Sequence, residues 1–140
     1  MRIFAALTIA LALAAAPTLF GQQPPKIKRV DATYTNPGSG AEMFHAYCAV
    51  CHGDNGKGGG PAATALKTAP ADLTALSAKH NGKFPALEVQ QFIQGENGPS
   101  AHGTRDMPMW GDVFKTLSAE KEVTLIRVKN LSDYIAGLQR

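Results

Sequence analysis

Residues Tyr47-Cys48-Ala49-Val50-Cys51-His52 decide how the rest of the chain reads. Two cysteines separated by two residues, with a histidine directly after the second, form the attachment pattern for a c-type haem. The spacing serves the chemistry. Each thiol adds across one haem vinyl group, and one helical turn brings the sulfurs of Cys48 and Cys51 to the same side of the backbone. His52 then turns its imidazole toward the iron from the proximal face. Other uses of the pattern weigh less. A structural zinc site needs four ligands, and the chain has only 2 cysteines. A thioredoxin-type redox pair belongs in a βαβ setting that the flanking sequence does not offer. A plain disulfide across so tight a loop is strained.

At 140 residues the chain suits one domain with a modest core, to which a buried haem adds a large, rigid apolar body. Hydrophobic residues make up 44% and charged residues 18%, a balance that excludes a disordered chain. The formal charge of +3 is mild, and Lys and Arg are scattered, so no nucleic-acid partner is expected.

Residues 1–21 have a character of their own. Arg2 is a lone positive start, residues 3–16 are almost wholly apolar, and Pro17, Gly21 and Gln22-Gln23 break the run. That is the pattern of a secretory signal peptide, with a cut near Gly21. The competing reading is a retained apolar anchor, but residues 3–20 are barely long enough to span a bilayer and Pro17 interrupts them. Export agrees with the haem reading, because covalent c-haem maturation takes place outside the cytoplasmic membrane. The expected location is therefore periplasmic or exported, with membrane association only through an uncleaved N-terminus or docking on a larger complex.

Residues 22–38 hold Pro24, Pro25 and Pro37 and the basic cluster Lys26, Lys28 and Arg29, and read as an extended linker or arm on the surface. The domain proper is expected over residues 39–140. Ser39 is a suitable N-cap, and Glu42 suits the first turn of a helix that runs into the haem motif. The glycine-rich residues 53–61 forbid regular structure and are not a phosphate loop, since G-x-x-x-x-G-K-[ST] is lacking. They read as chain forced close to the haem edge, where side chains clash. A turn at residues 69–73 leads to a short helix ending near Ala78. Pro85 then opens a helix whose apolar face is Leu87, Val89, Phe92 and Ile93 and which Gly95 ends. Residues 96–106 read as a loop. A last helix is expected over residues 118–139, with Val128, Leu131, Tyr134, Ile135 and Leu138 at spacings of three and four. There is no convincing run of strands, and the chain reads as all-α.

Iron with one histidine needs a sixth ligand or an open site. Met107 is the first candidate, because a thioether is a soft, neutral donor that favours ferrous iron and raises the reduction potential. Pro108 restrains the backbone beside it. Met109 is the close competitor, and core packing is the ordinary alternative for either methionine. Met43 reads as packing on the first helix. His45 shares its turn with the attachment site, while His80 and His102 sit in loops, with His102 near enough in sequence to serve as a fallback. Trp110 combines an apolar face with one N–H donor, which suits a haem edge with a propionate nearby or equally the core.

Taken together, these residues resemble the class I cytochrome c family in its bacterial exported, monohaem form. The resemblance covers residues 39–140. It rests on Phe44-x-x-x-Cys48-x-x-Cys51-His52-Gly53, on Gly60-Pro61, on Pro70-Ala71-Asp72-Leu73-Thr74 and on Met107-Pro108-x-Trp110-Gly111. It implies the cytochrome c fold, a single small all-α domain wrapped around one covalently bound haem c. It also implies that the first and last helices cross where Gly40 and Phe44 meet Tyr134. The Pro61 carbonyl is implied as the acceptor for His52 Nδ1, and Met107 as the sixth ligand.

The function that follows is one-electron transfer between redox proteins, with no catalytic residue and no small-molecule substrate at the iron. The alternative is a haem enzyme or gas binder with an open or displaceable sixth site, peroxidase-like, for which His102 is the nearby acid–base candidate. A third is a thiol–disulfide oxidoreductase using Cys48 and Cys51.

Overall fold

Ser39 starts the first helix as its sequence suggests, its Oγ accepting the Glu42 amide at 3.2 Å. The computed structural model describes residues 31–96 and 107–140. The expected signal peptide, the first part of the arm (22–30) and His102 lie outside the described residues. From Ser39 the chain forms α1 (Gly40–Met43), a π-helical turn (Phe44–Cys48) and α2 (Ala49–His52), which together make one continuous motif helix. The π turn is marked by the Ala49 amide bonding the Phe44 carbonyl, five residues back. Its wider turn lets Met43, Phe44, Tyr47 and Cys48 all face inward.

After the glycine-rich loop come 3₁₀ turns at Ala63–Ala65 and Leu73–Ala75, then α3 (Leu76–Lys79) and α4 (Ala86–Gln94). Gly95 closes α4 in the left-handed conformation (φ 88°), where its amide meets the Gln91 and Phe92 carbonyls. Next are α5 (Trp110–Leu117) and α6 (Lys121–Gly137). The fold is all-α, with no strand among the described residues. Also among them, no helix is long and apolar enough to cross a membrane.

Helix α6 is the element against which α1, α4 and α5 pack. Its inward residues Val128, Leu131 and Ile135 join Phe44, Phe114, Val89 and Ile93 in the core. The crossing with the motif helix is close. A Cβ on Gly40 would lie 2.8 Å from Tyr134 Cβ and inside contact distance of the Asn130 carbonyl oxygen. The Phe44 and Tyr134 rings meet there with centroids 5.2 Å apart.

Three points need correction. Residues 110–117, assigned no element from the sequence, form α5. Trp110, Val113, Phe114 and Leu117 recur at helical spacing, and Phe114 is fully buried. On α4, Leu87 and Phe92 point outward (70% and 41% exposed), so the buried face is Val89 and Ile93, one turn apart. The end of the arm is more than a surface linker. Thr35 is buried, its hydroxyl 2.8 Å from Tyr47 Oη, and the Tyr47 hydroxyl donates to the Thr33 carbonyl at 2.6 Å.

Arg127 of α6 makes the arm part of the core. Its Nη1 donates to Thr35 Oγ1 at 2.9 Å and its Nη2 to the Thr35 carbonyl at 2.8 Å. The side chain is fully buried, between the Tyr34 and Phe114 rings. Burying a guanidinium is expensive unless its donors are met and aromatic faces replace some of the lost hydration. One turn on, Asn130 Nδ2 donates to the Pro37 carbonyl at 2.9 Å.

Gly40→Ala is expected to cost about 3 kcal/mol, because the Asn130 carbonyl it meets belongs to a packed helix backbone that cannot rotate aside. Thermal or denaturant unfolding of the holoprotein checks this. A loss below about 0.5 kcal/mol would show that the crossing can relax.

Candidate functional site

The last turns of the motif helix carry Cys48, Cys51 and His52. Cys48 is buried (7% exposed) and Cys51 partly exposed, and no disulfide joins them. Burial, reinforced by the neighbouring Cys51, pushes the Cys48 thiol up to about 12, and burial raises Cys51 as well. A thiol–disulfide enzyme needs its attacking thiol lowered, so the pair is poorly set for exchange. Among the described residues no group of three or more His, Cys, Asp or Glu side chains is arranged to hold a metal ion.

The His52 ring is held by one hydrogen bond, from Nδ1 to the Ala71 carbonyl at 3.0 Å. A carbonyl only accepts, so Nδ1 bears the hydrogen and Nε2 keeps its lone pair. Burial lowers the His52 pKa and outweighs the opposing effect of the Ala71 bond, which leaves a neutral imidazole suited to ligation. The family resemblance implied Pro61 as this acceptor, and the structure corrects it to Ala71. Pro61 is exposed and belongs to a segment that serves the helix end instead.

That service explains the glycine-rich loop. A helix leaves its last four carbonyls without internal partners. Here all four are met by amides of the loop: Ala49 by Gly53 at 2.8 Å, Val50 by Ala62 at 2.8 Å, Cys51 by Gly60 at 3.0 Å and His52 by Gly58 at 2.7 Å. A Cβ on Gly60 would strike the Ala49 and Val50 carbonyls, and one on Gly58 the Pro70 carbonyl. The glycines expected beside a haem edge are therefore required by close approach to the motif helix and to residue 70.

Ala71 is held in turn from both sides. The Leu73 amide donates to the Gly56 carbonyl at 2.7 Å, tying its turn to the loop. Asp72 Oδ1 caps the Leu73–Ala75 turn, accepting the Thr74 amide at 2.8 Å and its hydroxyl at 2.6 Å. From the end of α6, Gln139 Nε2 donates to the Leu73 carbonyl at 2.7 Å while its Oε1 accepts the Ser77 amide at 2.8 Å. The Asp-x-Thr pairing after Ala71 was the sequence signal for this support. The role of Gln139 left no such signal.

Trp110 lies on the opposite flank, its indole stacked on Tyr47 with centroids 5.1 Å apart and in contact with Phe114. This stack links the motif helix to the segment that carries Met107. Met107 is partly exposed (39%). Met109 is equally exposed (42%) and passes close to Gly95, where an added Cβ would lie 2.8 and 2.7 Å from its Cβ and Cγ. His45 Nδ1 meets Asp54 at 3.2 Å in the open, and His80 Nδ1 stands 3.8 Å from Glu88. Neither is drawn toward Cys48, Cys51 and His52 by those contacts.

Two thiols on one helical turn and an adjacent neutral imidazole, oriented through Nδ1, fit a covalently held haem. The sequence profile described as Cytochrome c matches residues 38–138. The chain belongs to the cytochrome c family. Members carry haem c covalently, and haem-based electron transfer, typically as carriers and not as enzymes, is the family's general function. Comparison with curated proteins and with solved structures gave no match.

Hydrogen bonds from the Thr74 hydroxyl and amide hold the Asp72 carboxyl below its ordinary value, with Arg140 and Lys57 adding to the effect. A depressed carboxyl contributes stability above its unfolded value and loses it as pH falls through the lower folded value. The stability gap between wild type and Asp72→Ala is therefore expected to be full at pH 5 and to close below about pH 4. Thermal unfolding followed across that range measures it. A gap unchanged down to pH 2 would remove the carboxylate from the account.

Proposed function

We propose that this protein carries single electrons between redox proteins outside the cytoplasmic membrane, with one haem c joined to Cys48 and Cys51 and ligated by His52 and Met107. The observation that carries the reading is the His52 ring, fixed through Nδ1 by Ala71 so that Nε2 is the ligating atom, on the same helical turn as the two thiols. The chain's 2 cysteines suffice for one haem. When bound, the haem supplies a one-electron ferrous/ferric couple.

The protein's own residues have distinct tasks. Cys48 and Cys51 hold the group against the motif helix. Ala71 orients His52 and makes Nε2 more basic, while burial keeps the ring neutral. Met107 provides a soft neutral donor that favours the ferrous state. Met107 is preferred to its neighbour because the Met107-Pro108-x-Trp110-Gly111 pattern of the family resemblance falls on it. Trp110 braces the methionine segment on Tyr47. With His52 and Met107 both holding the iron, a substrate would find no open position there, so the partners would be other redox proteins, met through a small, transient contact. Export by the N-terminal leader places this exchange in the periplasm or beyond.

Met107→Ala is expected to abolish the ferric methionine–iron charge-transfer band and to open the ferrous form to carbon monoxide. It should also lower the reduction potential by on the order of 100 mV, within the roughly 0.8 V that axial ligands span. Met109→Ala is expected to leave the band in place. Absorbance spectra and a redox titration decide it. A wild-type ferrous protein that binds carbon monoxide readily would favour the open-site enzyme, and a mature product without covalent haem would end the proposal.

A further inference from the structure

Arg127 is the largest of the fully buried side chains, and among the described residues its charge has no anion beside it. Its guanidinium faces the hydroxyl and carbonyl of Thr35, the Met43 sulfur at 3.7 Å and the rings of Tyr34 and Phe114, with centroids 5.1 and 5.8 Å away. All of these partners are neutral. No carboxylate among the described residues pairs with it, and its Nε has no hydrogen-bond partner there. By contrast, Lys115 and Lys129 pair with Asp112 and Asp133 at the surface. Anchoring the arm through Thr35 asks only for a hydrogen-bond donor, which a neutral side chain supplies without the desolvation penalty of a cation.

We propose that Arg127 is a fixed, desolvated positive charge that holds the reduction potential of the bound haem above the value its axial ligands alone would set. The inference rests on the haem reading above. Reduction adds one electron to the iron and removes one unit of positive charge from the site, so a cation held in the protein wall disfavours the ferric state. Coulomb interaction falls with distance and effective dielectric constant, and exposed charges are further screened within about 8–10 Å by salt. A buried guanidinium escapes most of that screening. Its placement is also suitable. The Thr35 hydroxyl that it bonds also meets Tyr47, the residue before Cys48, and Phe114 contacts both the guanidinium and the Tyr47 ring. Met43 lies on the motif helix itself. The charge thus stands against the inner side of the helix that bears the attachment cysteines.

The test is a spectroelectrochemical titration of the full holoprotein, comparing wild type with Arg127→Met, Arg127→Lys, Thr35→Asp and Lys129→Met. Thr35→Asp keeps the arginine and its packing but sets a carboxylate against it, so it decides the matter even if Arg127→Met fails to fold. At the wild-type midpoint, the ferrous-to-ferric ratio is expected to fall several-fold, on the order of fivefold, in Arg127→Met and Thr35→Asp. It should stay within about twofold in Arg127→Lys, which keeps the charge, and in Lys129→Met, whose charge is already screened. A merely structural role would lower thermal stability and leave the midpoint in place. A folded Arg127→Met or Thr35→Asp protein with the wild-type absorbance spectrum and an unmoved midpoint overturns the inference while sparing the haem reading. A wild-type product lacking covalent haem overturns both.

Discussion

The Ala71 carbonyl fixes the His52 ring through Nδ1, the second-nitrogen contact that metal-binding histidines almost always make. A backbone acceptor has no rotamers, so its position depends on everything that fixes residues 70–74. Gly56 holds Leu73 from the loop side, Asp72 caps the turn from within, and Gln139 reaches it from the far end of α6. The last helix therefore supports the ligand as well as the core. A disturbance at the C-terminus reaches His52 through two hydrogen bonds joined by the backbone of residues 71–73, with no contact between α6 and the ring itself required.

The same helix sets the opposite wall. Near its C-terminal half, Tyr134 meets Gly40 and Phe44 with no space for a further methyl group. Nearer its start, Arg127 takes hold of Thr35 and Asn130 of Pro37, which draws the end of the arm into the structure. Between these points the motif helix widens by one residue, so that four consecutive-pair positions can all be buried. Packing density and backbone geometry are thus adjusted together around the segment that bears Cys48 and Cys51.

Much of this was legible in the sequence, for identifiable reasons. The Cys-x-x-Cys-His pattern, the Ser39 cap and the Gly95 stop are local signals whose chemistry acts within one turn. The crossing of Gly40 and Phe44 with Tyr134 is a long-range contact, and it came from resemblance alone. What escaped was whatever depended on the partner of a neutral-looking residue. Ala71 acts only through its carbonyl oxygen, which no side chain advertises, so Pro61 stood in its place. Helix α5 was hidden because Trp110 and Gly111 were read only as part of the Met107 motif, though Val113, Phe114 and Leu117 complete an apolar stripe. On α6 the expected stripe of Val128, Leu131, Tyr134, Ile135 and Leu138 lies in or against the core, but hydropathy fails at other positions. Leu125 and Ile126 lie outward while Thr124, Arg127 and Ser132 lie inward, and hydropathy orders those positions the other way.

The loop after His52 seals the motif helix with main-chain amides alone. Such a seal is indifferent to most of the letters written along it. Asp54, Lys57 and Pro61 are exposed and contribute no side-chain donor to those four carbonyls. Single replacements at Asp54, Lys57 or Pro61 can therefore redraw the electrical character of this face while the four main-chain bonds stay in place.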